Sequence, residues 1–530
     1  MPRKDDDAMK ATPRSMLLRS ITASVIIVLP LLIVMPGSTG TPASAAARPL
    51  QHPARTLPAR TLQQFVDSFV TRSGPRLGVA GRPFRFGGAN IEWLGLAGYG
   101  PFDPRGPHFP SNYEIDDAMK TAREMGVTVV RSQTMGDSVG CDRCIEPTLG
   151  HFNQDAFERI DYALRSARAH GIKIIPTIVG DDAREGGTGC VYLRWRSISV
   201  PNCSLIDMPP FWTDQTVIRD VEAHIKELLE HVNTYTGLAY KDDPTILGWD
   251  LLNGGGSPVP WTRRIASYIH SLDSRHLILS GPENAGISGV DVCVSFVYPH
   301  WYQPLASVKR GIAKCKRAGK PFVAYEYGWD RTNYPTLSRF RTFLESLENA
   351  PEIAGDAFWA LQAHNDGHGW MPIPADTSDP TTARSLESGQ WWAMYYTGIQ
   401  TMVNTAADMA ARAQVIRSHS YRMGGLRVPA HVIPPAPTIT SVVFGPTSFT
   451  GRIGARVYWQ GSAGAKSYSV QRATGRAGPW RTICNRCVTD LDNGYVDLSS
   501  GARSGWYRVI PYNLDAKSGR ASKPMRSSTP

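Results

Sequence analysis

Between residues 80 and 420, short apolar runs alternate with stretches whose apolar residues recur every three or four positions. Eight runs read as strands: 84–90, 127–131, 172–178, 246–252, 276–280, 293–298, 322–327 and 356–361. They are rich in β-branched residues and lack polar alternation, which predicts parallel strands covered on both faces. Between them, 113–125, 155–170, 216–233, 261–272, 305–318 and 337–349 carry the helical period. Gly126 and Gly171 stand just past two of these helices, as stop signals do. The alternation predicts an α/β fold, a (β/α)8 TIM barrel, and the segment exceeds the roughly 250 residues such a barrel needs. A doubly wound open sheet would show a G-x-G-x-x-G turn after its first strand. Phe86-Gly87-Gly88-Ala89-Asn90 lacks that spacing.

The pattern changes at both ends. Arg3, Lys4, Lys10, Arg14 and Arg19 precede an apolar run over 21–35, followed by the small residues 43–47. That order predicts a secretory signal peptide over 1–47, cleaved near Ala45 or Ala47. A retained membrane anchor is the rival reading, against which the run is short. Residues 425–437 read as a stiff, Pro-rich linker that closes a barrel domain over 48–424. Beyond it, 455–460, 467–472 and 506–512 read as short strands split by turns, a small all-β sandwich over 438–530. Its stretches VYWQGSAGAKSYSVQRA and GWYRVIPYN resemble a fibronectin type III module.

Charge and cysteine sharpen this picture. The formal net charge is +11, and residues 434–530 carry thirteen Lys and Arg against four Asp and no Glu. For an exported chain, this predicts an anionic cell-wall or lipid surface as the contact, not nucleic acid, with a merely soluble basic surface as the plain alternative. Eight cysteines suit disulfides in an oxidising compartment. Cys141 with Cys144, Cys484 with Cys487, Cys190 with Cys203, and Cys293 with Cys315 are the expected pairs. The two CxxC pairs lie too far apart to suggest one zinc site. His151, His364 and His368 read as loop residues lining a cleft or facing solvent, so no metal or other cofactor is expected.

In such a barrel the chemistry sits at the C-terminal ends of the strands. The residues there are Asn90 and Trp93, Arg131, Asp181 and Asp182, Asn253, Glu283, His300 and Tyr302, Glu326, and Trp359. Most have a plain structural reading: Arg131 as a buried ion-pair partner, His300 as a core histidine, Trp359 as barrel filling. Glu326 is different, because an unpaired carboxylate within an apolar strand is costly. A cation such as Arg131 would offset that cost and hold Glu326 ionised as a nucleophile.

The segments FRFGGANIEWL, GVTVVRSQT, HVNTYTGLAYKDDPTILGWDLLN, YPHWYQ, PFVAYEYGW and DAFWALQ resemble successive parts of the β-mannanases of glycoside hydrolase family 5. The resemblance covers roughly 70–415. It implies endo-hydrolysis of β-1,4-mannan with retention of configuration. It implies Glu326 as nucleophile, Arg131 and Tyr302 as its orienting partners, His300 and Asn253 as sugar contacts, and Trp359 as a stacking platform. Glu283 matches a further acidic position. The family places its acid/base glutamate directly after the asparagine that ends the fourth strand. Here Gly254 follows Asn253, with Gly255 and Gly256 after it. Three readings stay open: a hydrolase with a relocated acid (Asp181, Asp182 or Glu283), a polysaccharide-binding pseudoenzyme, or a wall-associated protein anchored by its basic C-terminal part.

Overall fold

The structure is a computed structural model, described for residues 59–98, 106–180, 189–200, 208–254, 256–299, 305–371, 393–401, 403–447, 452–491 and 493–529. The expected signal segment, His300, Tyr302, Asp181, Asp182, Cys203 and Gly255 lie outside these residues. The chain divides into two compact units, Met1–His52 and Pro53–Pro530, and every described residue belongs to the second. Among the described residues no helix is long and apolar enough to cross a membrane.

A short helix, α1 (Ala59–Val66), leads into three antiparallel strands, β1 (Val70–Ser73), β2 (Arg76–Val79) and β3 (Arg82–Phe84). The barrel strands follow: β4 (Phe86–Asn90), β5 (Val129–Ser132), β6 (Lys173–Pro176), β7 (Gly248–Asp250), β8 (Leu277–Ser280), β9 (Val292–Val297), β10 (Phe322–Tyr327) and β11 (Ile353–Phe358). Their order is β6-β5-β4-β11-β10-β9-β8-β7, and every ladder is parallel. Parallel bridges Ile174–Ile246 and Thr177–Asp250 join β6 to β7 and close the ring.

The helices are α2 (Asn112–Glu124), α3 (Gln154–His170), α4 (Gly189–Trp195), α5 (Pro209–Thr213), α6 (Gln215–Glu230), α7 (Val259–Leu272), α8 (Leu305–Arg317), α9 (Leu337–Glu348) and α10 (Ala406–Met423). Their starts follow from side chains that accept the free N–H groups of the first turn. Ser111 and Glu114 form a capping box on α2, Asn153 caps α3, Asp214 caps α6 and Thr405 caps α10.

Two apolar layers hold the barrel. Phe86, Val129, Ile175, Leu247, Leu279, Val294, Val323 and Tyr325 fill its interior. Val70, Leu77, Val79 and Phe84 of the β1–β3 sheet join that cluster, so this sheet plugs the end of the barrel away from the C-terminal strand ends. The larger outer layer lies between strands and helices.

Beyond α10 come β12 (Ile439–Pro446), β13 (Ile453–Trp459), β14 (Ala465–Ala473), β15 (Arg481–Thr489), β16 (Gly494–Asp497), β17 (Trp506–Asn513) and β18 (Met525–Arg526). They form antiparallel sheets of order β12-β13-β16 and β15-β14-β17-β18. Val457, Trp459, Tyr468, Val470, Tyr507 and Val509 fill the space between them. Cys141–Cys144, Cys293–Cys315 and Cys484–Cys487 are disulfides.

The residues expected to act as a spacer are clasped. Arg417 donates to the carbonyls of Pro429 and Ala430, and Glu124 meets His431 at 2.7 Å. Asn513 of β17 donates to the carbonyls of His431 and Val432.

Candidate active site

Arg131, at the end of β5, is the centre of the site and is fully buried. All five of its N–H donors are used. Nε and Nη2 donate to Asp250 Oδ2 at 3.0 and 2.8 Å, and Nη2 donates to Asn253 Oδ1 at 2.5 Å. Nη1 donates to Asn90 Oδ1 and Glu326 Oε2, both at 3.1 Å. The guanidinium also lies 4.2 Å over the Tyr325 ring. Burial works to lower the Arg131 pKa, but Asp250, Tyr325 and Glu326 outweigh it and raise it further. The cation is therefore permanent.

The inward-facing positions of three other strands converge on it. Asn90 ends β4, and its amide donates to the carbonyls of Tyr325 and Phe358, tying β4 to β10 and β11. Asp250 ends β7, is fully buried, and also accepts from Thr177 Oγ1 at 3.0 Å. With its Oδ2 engaged by Arg131 and Thr177, it is a structural carboxylate. Glu326 lies on β10 and is 7 % exposed. Its second oxygen, Oε1, accepts from Tyr298 Oη at 2.7 Å.

Tyr298 was not singled out by the sequence, where Tyr302 was the expected partner. Tyr298 closes the predicted run 293–298 and Tyr302 lies beyond it in sequence; the strand itself stops at Val297, so Tyr298 is the first residue past its end. Trp359 stands one residue past β11, buried in a small cluster with Tyr298 and Ala360. Of the loop histidines, His364 neither lines the cleft nor faces solvent. It is fully buried between Asp117 and Asp490. Among the described residues no cluster has the makeup of a metal site.

A second unforeseen residue is the carboxylate Glu92, just past β4. Burial pushes its pKa up to about 7, opposed by its own backbone and by Gln362.

The other side of the cleft is built differently. Asn253 is held by its backbone N–H on the Val179 carbonyl and by Arg131. Gly254 follows with φ +86°, a conformation that L side chains rarely adopt. The backbone there is in glycine's territory, and a glutamate could not occupy it without strain. Glu283, in the Pro282–Asn284 turn after β8, projects toward this run. Its Oε1 lies 4.0 Å from where a Cβ on Gly256 would be. Although Glu283 is exposed as a residue, the protein around its carboxyl raises its pKa, with its own backbone and Lys314 opposing.

A closed parallel barrel with a guanidinium-held carboxylate at the C-terminal end of its seventh strand places a candidate catalytic group where barrel enzymes keep their chemistry. The profile of the GH family 5 beta-mannosidase-like family matches residues 67–297. Mannan endo-1,4-beta-mannosidase 3 of Arabidopsis thaliana is 32% identical over 378 residues, covering 60% of this chain and 88% of that protein. Mannan endo-1,4-beta-mannosidase 7 of the same plant is 34% identical over 224 residues, covering 41% of this chain and 49% of that protein. The chain belongs to the β-mannosidase-like branch of glycoside hydrolase family 5. Two solved structures share the fold. The endo-beta-1,4-mannanase from Thermotoga petrophila has TM-score 0.50 at 19% identity, covering 84% of this chain and 98% of its own. The family 5 mannosidase from Rhizomucor miehei has TM-score 0.51 at 17% identity, covering 68% and 98%.

Proposed function

We propose that the protein is an exported glycoside hydrolase-type protein directed at β-1,4-mannan-type polysaccharide. In this reading it retains the nucleophile, Glu326, and carries Gly254 where the acid/base would stand. The observation that supports this most is the pair of bonds on Glu326, from Arg131 at 3.1 Å and from Tyr298 at 2.7 Å. A carboxylate so held is ionised and fixed in orientation, as attack on an anomeric carbon requires.

A retaining hydrolase needs a second carboxyl group about 5–5.5 Å from the first to protonate the leaving oxygen and later activate water. Without it, assistance worth about 10²- to 10⁴-fold is missing from each step. Polymer cleavage is then slow, while binding in the cleft persists. Asn253 and Trp359 remain as proposed sugar contacts, and His300 and Tyr302 keep the roles that the family resemblance implies.

A second reading, in which Glu283 is a relocated acid, is favoured by its 4.0 Å approach to the Gly256 position and its raised pKa. The C-terminal part, with three- and four-stranded sheets, suits a fibronectin type III-like module. Its thirteen Lys and Arg suit contact with an anionic wall that salt would weaken. The disulfides suit an extracellular setting.

The test is an aryl β-mannoside with a good leaving group, with and without azide. The Glu326 carboxylate bonds to the anomeric carbon as the phenolate departs with its electron pair, needing no proton. Azide then attacks the same carbon and frees Glu326. Phenol release accelerated by azide supports the first reading. Full activity on polymer, insensitive to azide and lost in Glu283→Gln, supports the second. Absence of both activity and mannan-oligosaccharide binding overturns the proposal.

A further inference from the structure

We infer that the C-terminal β module supports the cleft from behind, and that Asp490 is a positioning residue acting on segment 359–371. The inference rests on the reading of the cleft as a mannan-type site. Segment 359–371 leaves β11 and has two ends. The near end carries Trp359, which packs with Tyr298, the hydrogen-bond donor to Glu326. Its Leu361 N–H donates at 2.9 Å to the carbonyl of Asn90, whose side chain accepts from Arg131. This end is therefore built into the nucleophile cluster.

The far end is held by the module. The His364 ring stacks on Trp370, with centroids 3.9 Å apart. Its other surface meets the backbone of Gly461, where an added Cβ would lie 2.0 Å from His364 Cδ2. Only a residue without a side chain allows that approach. In the ring's plane, Nδ1 meets Asp117 Oδ2 of α2 at 2.8 Å and Nε2 meets Asp490 Oδ2 at 2.9 Å. Trp370 Nε1 donates to the Asp490 carbonyl at 2.6 Å, and Tyr468 Oη donates to Asp490 Oδ1 at 2.6 Å. Gln460 donates to the Asp366 carbonyl, and the His368 and Tyr458 rings stack at 4.4 Å.

His364, Asp117 and Asp490 are all buried. Breaking one partner of such an ion cluster leaves an uncompensated buried charge, so the module cannot swing away cheaply. Trp359 and His364 are five positions apart, a tether of at most roughly 18 Å. What pins His364 limits where Trp359 can sit.

The test uses the full chain and Asp490→Asn, with Trp370→Phe as a second variant that removes the Nε1 bond and shrinks the stack on His364 while leaving the Asp490 carboxylate in place. Arg472→Ala, which breaks an ion pair internal to the module, is the control. Affinity for β-1,4-mannotetraose is measured well below the unfolding temperature, with backbone hydrogen exchange over 359–371. The expected result is affinity weakened about tenfold in Asp490→Asn, faster exchange across 359–371, partial rescue by Asp490→Glu, and no loss of affinity in Arg472→Ala. A lower melting temperature with wild-type affinity and wild-type exchange overturns the inference, because Asp490 would then be structural only. If the wild type binds no mannotetraose, the functional reading fails, and the exchange data alone still decide whether the module holds the segment.

Discussion

Arg131 and His364 are both buried cations set between carboxylates, and they serve different ends. Arg131 spends its donors on Asp250, Asn253, Asn90 and Glu326, and one of those partners, Glu326, keeps some exposure to the cleft. His364 holds Asp117 and Asp490, and nothing in that cluster reaches solvent. The same electrostatics yields a candidate nucleophile in one place and an internal joint in the other. What separates them is whether one carboxylate is left within reach of a ligand.

The largest expected effect comes from removing the first cation. Arg131→Met strips five hydrogen bonds and leaves Asp250 buried beside no positive charge. It should destabilise the fold by about 3–5 kcal/mol, read from the denaturant midpoint. Destabilisation under 1 kcal/mol would show that Asp250 is stable there without its partner.

The second cation should announce itself through pH. Burial opposes charge on His364, but Asp117 and Asp490 outweigh it and lift its pKa from 6.5 to about 10. A folded pKa above the unfolded one means that the stabilisation is complete below about pH 6.5 and lost as pH rises through about 10. Between these values the wild type should lose stability on the order of a few kcal/mol more than His364→Gln does. Equal slopes for the two proteins would mean that His364 is neutral in the fold.

The smallest effect tests the cleft's other wall. Gly254→Glu places a carboxyl where we propose the acid/base is absent, but forces a side chain onto φ +86°. It should cost about 1–2 kcal/mol of stability and return little hydrolysis. A large gain in mannan cleavage at unchanged stability would mean that the loop relaxes readily and that the glycine is a simple loss.

Much of this was legible in the chain. Apolar runs without polar alternation announced eight parallel strands, and reading their last residues put Arg131, Asn253 and Glu326 on one list, where the fold brings them together. Helix α10 was hidden because it buries Arg412, Arg417 and His419, which read as surface residues. Strands β1–β3 are too short to stand out from the loop before the barrel. Tyr298 was passed over although it ends the run 293–298, because its aromatic ring reads as part of the apolar strand and the candidates come from the stretch beyond it. The docking of the module was illegible for a physical reason: its key contact joins His364 and Asp490, two polar loop residues distant in sequence, and depends on a glycine whose role is to be small.

A nucleophile without its proton-handling partner, as proposed for Glu326, has a direct chemical signature. A dinitrophenyl β-mannoside should convert Glu326 to its mannosyl ester quickly, and hydrolysis of that ester should be slow because no base activates water. Mass spectrometry of the intact protein after mixing should show one added mannosyl unit, mapped to the peptide containing Glu326 and absent in Glu326→Gln. Rapid turnover of β-mannan with no detectable adduct would contradict the account.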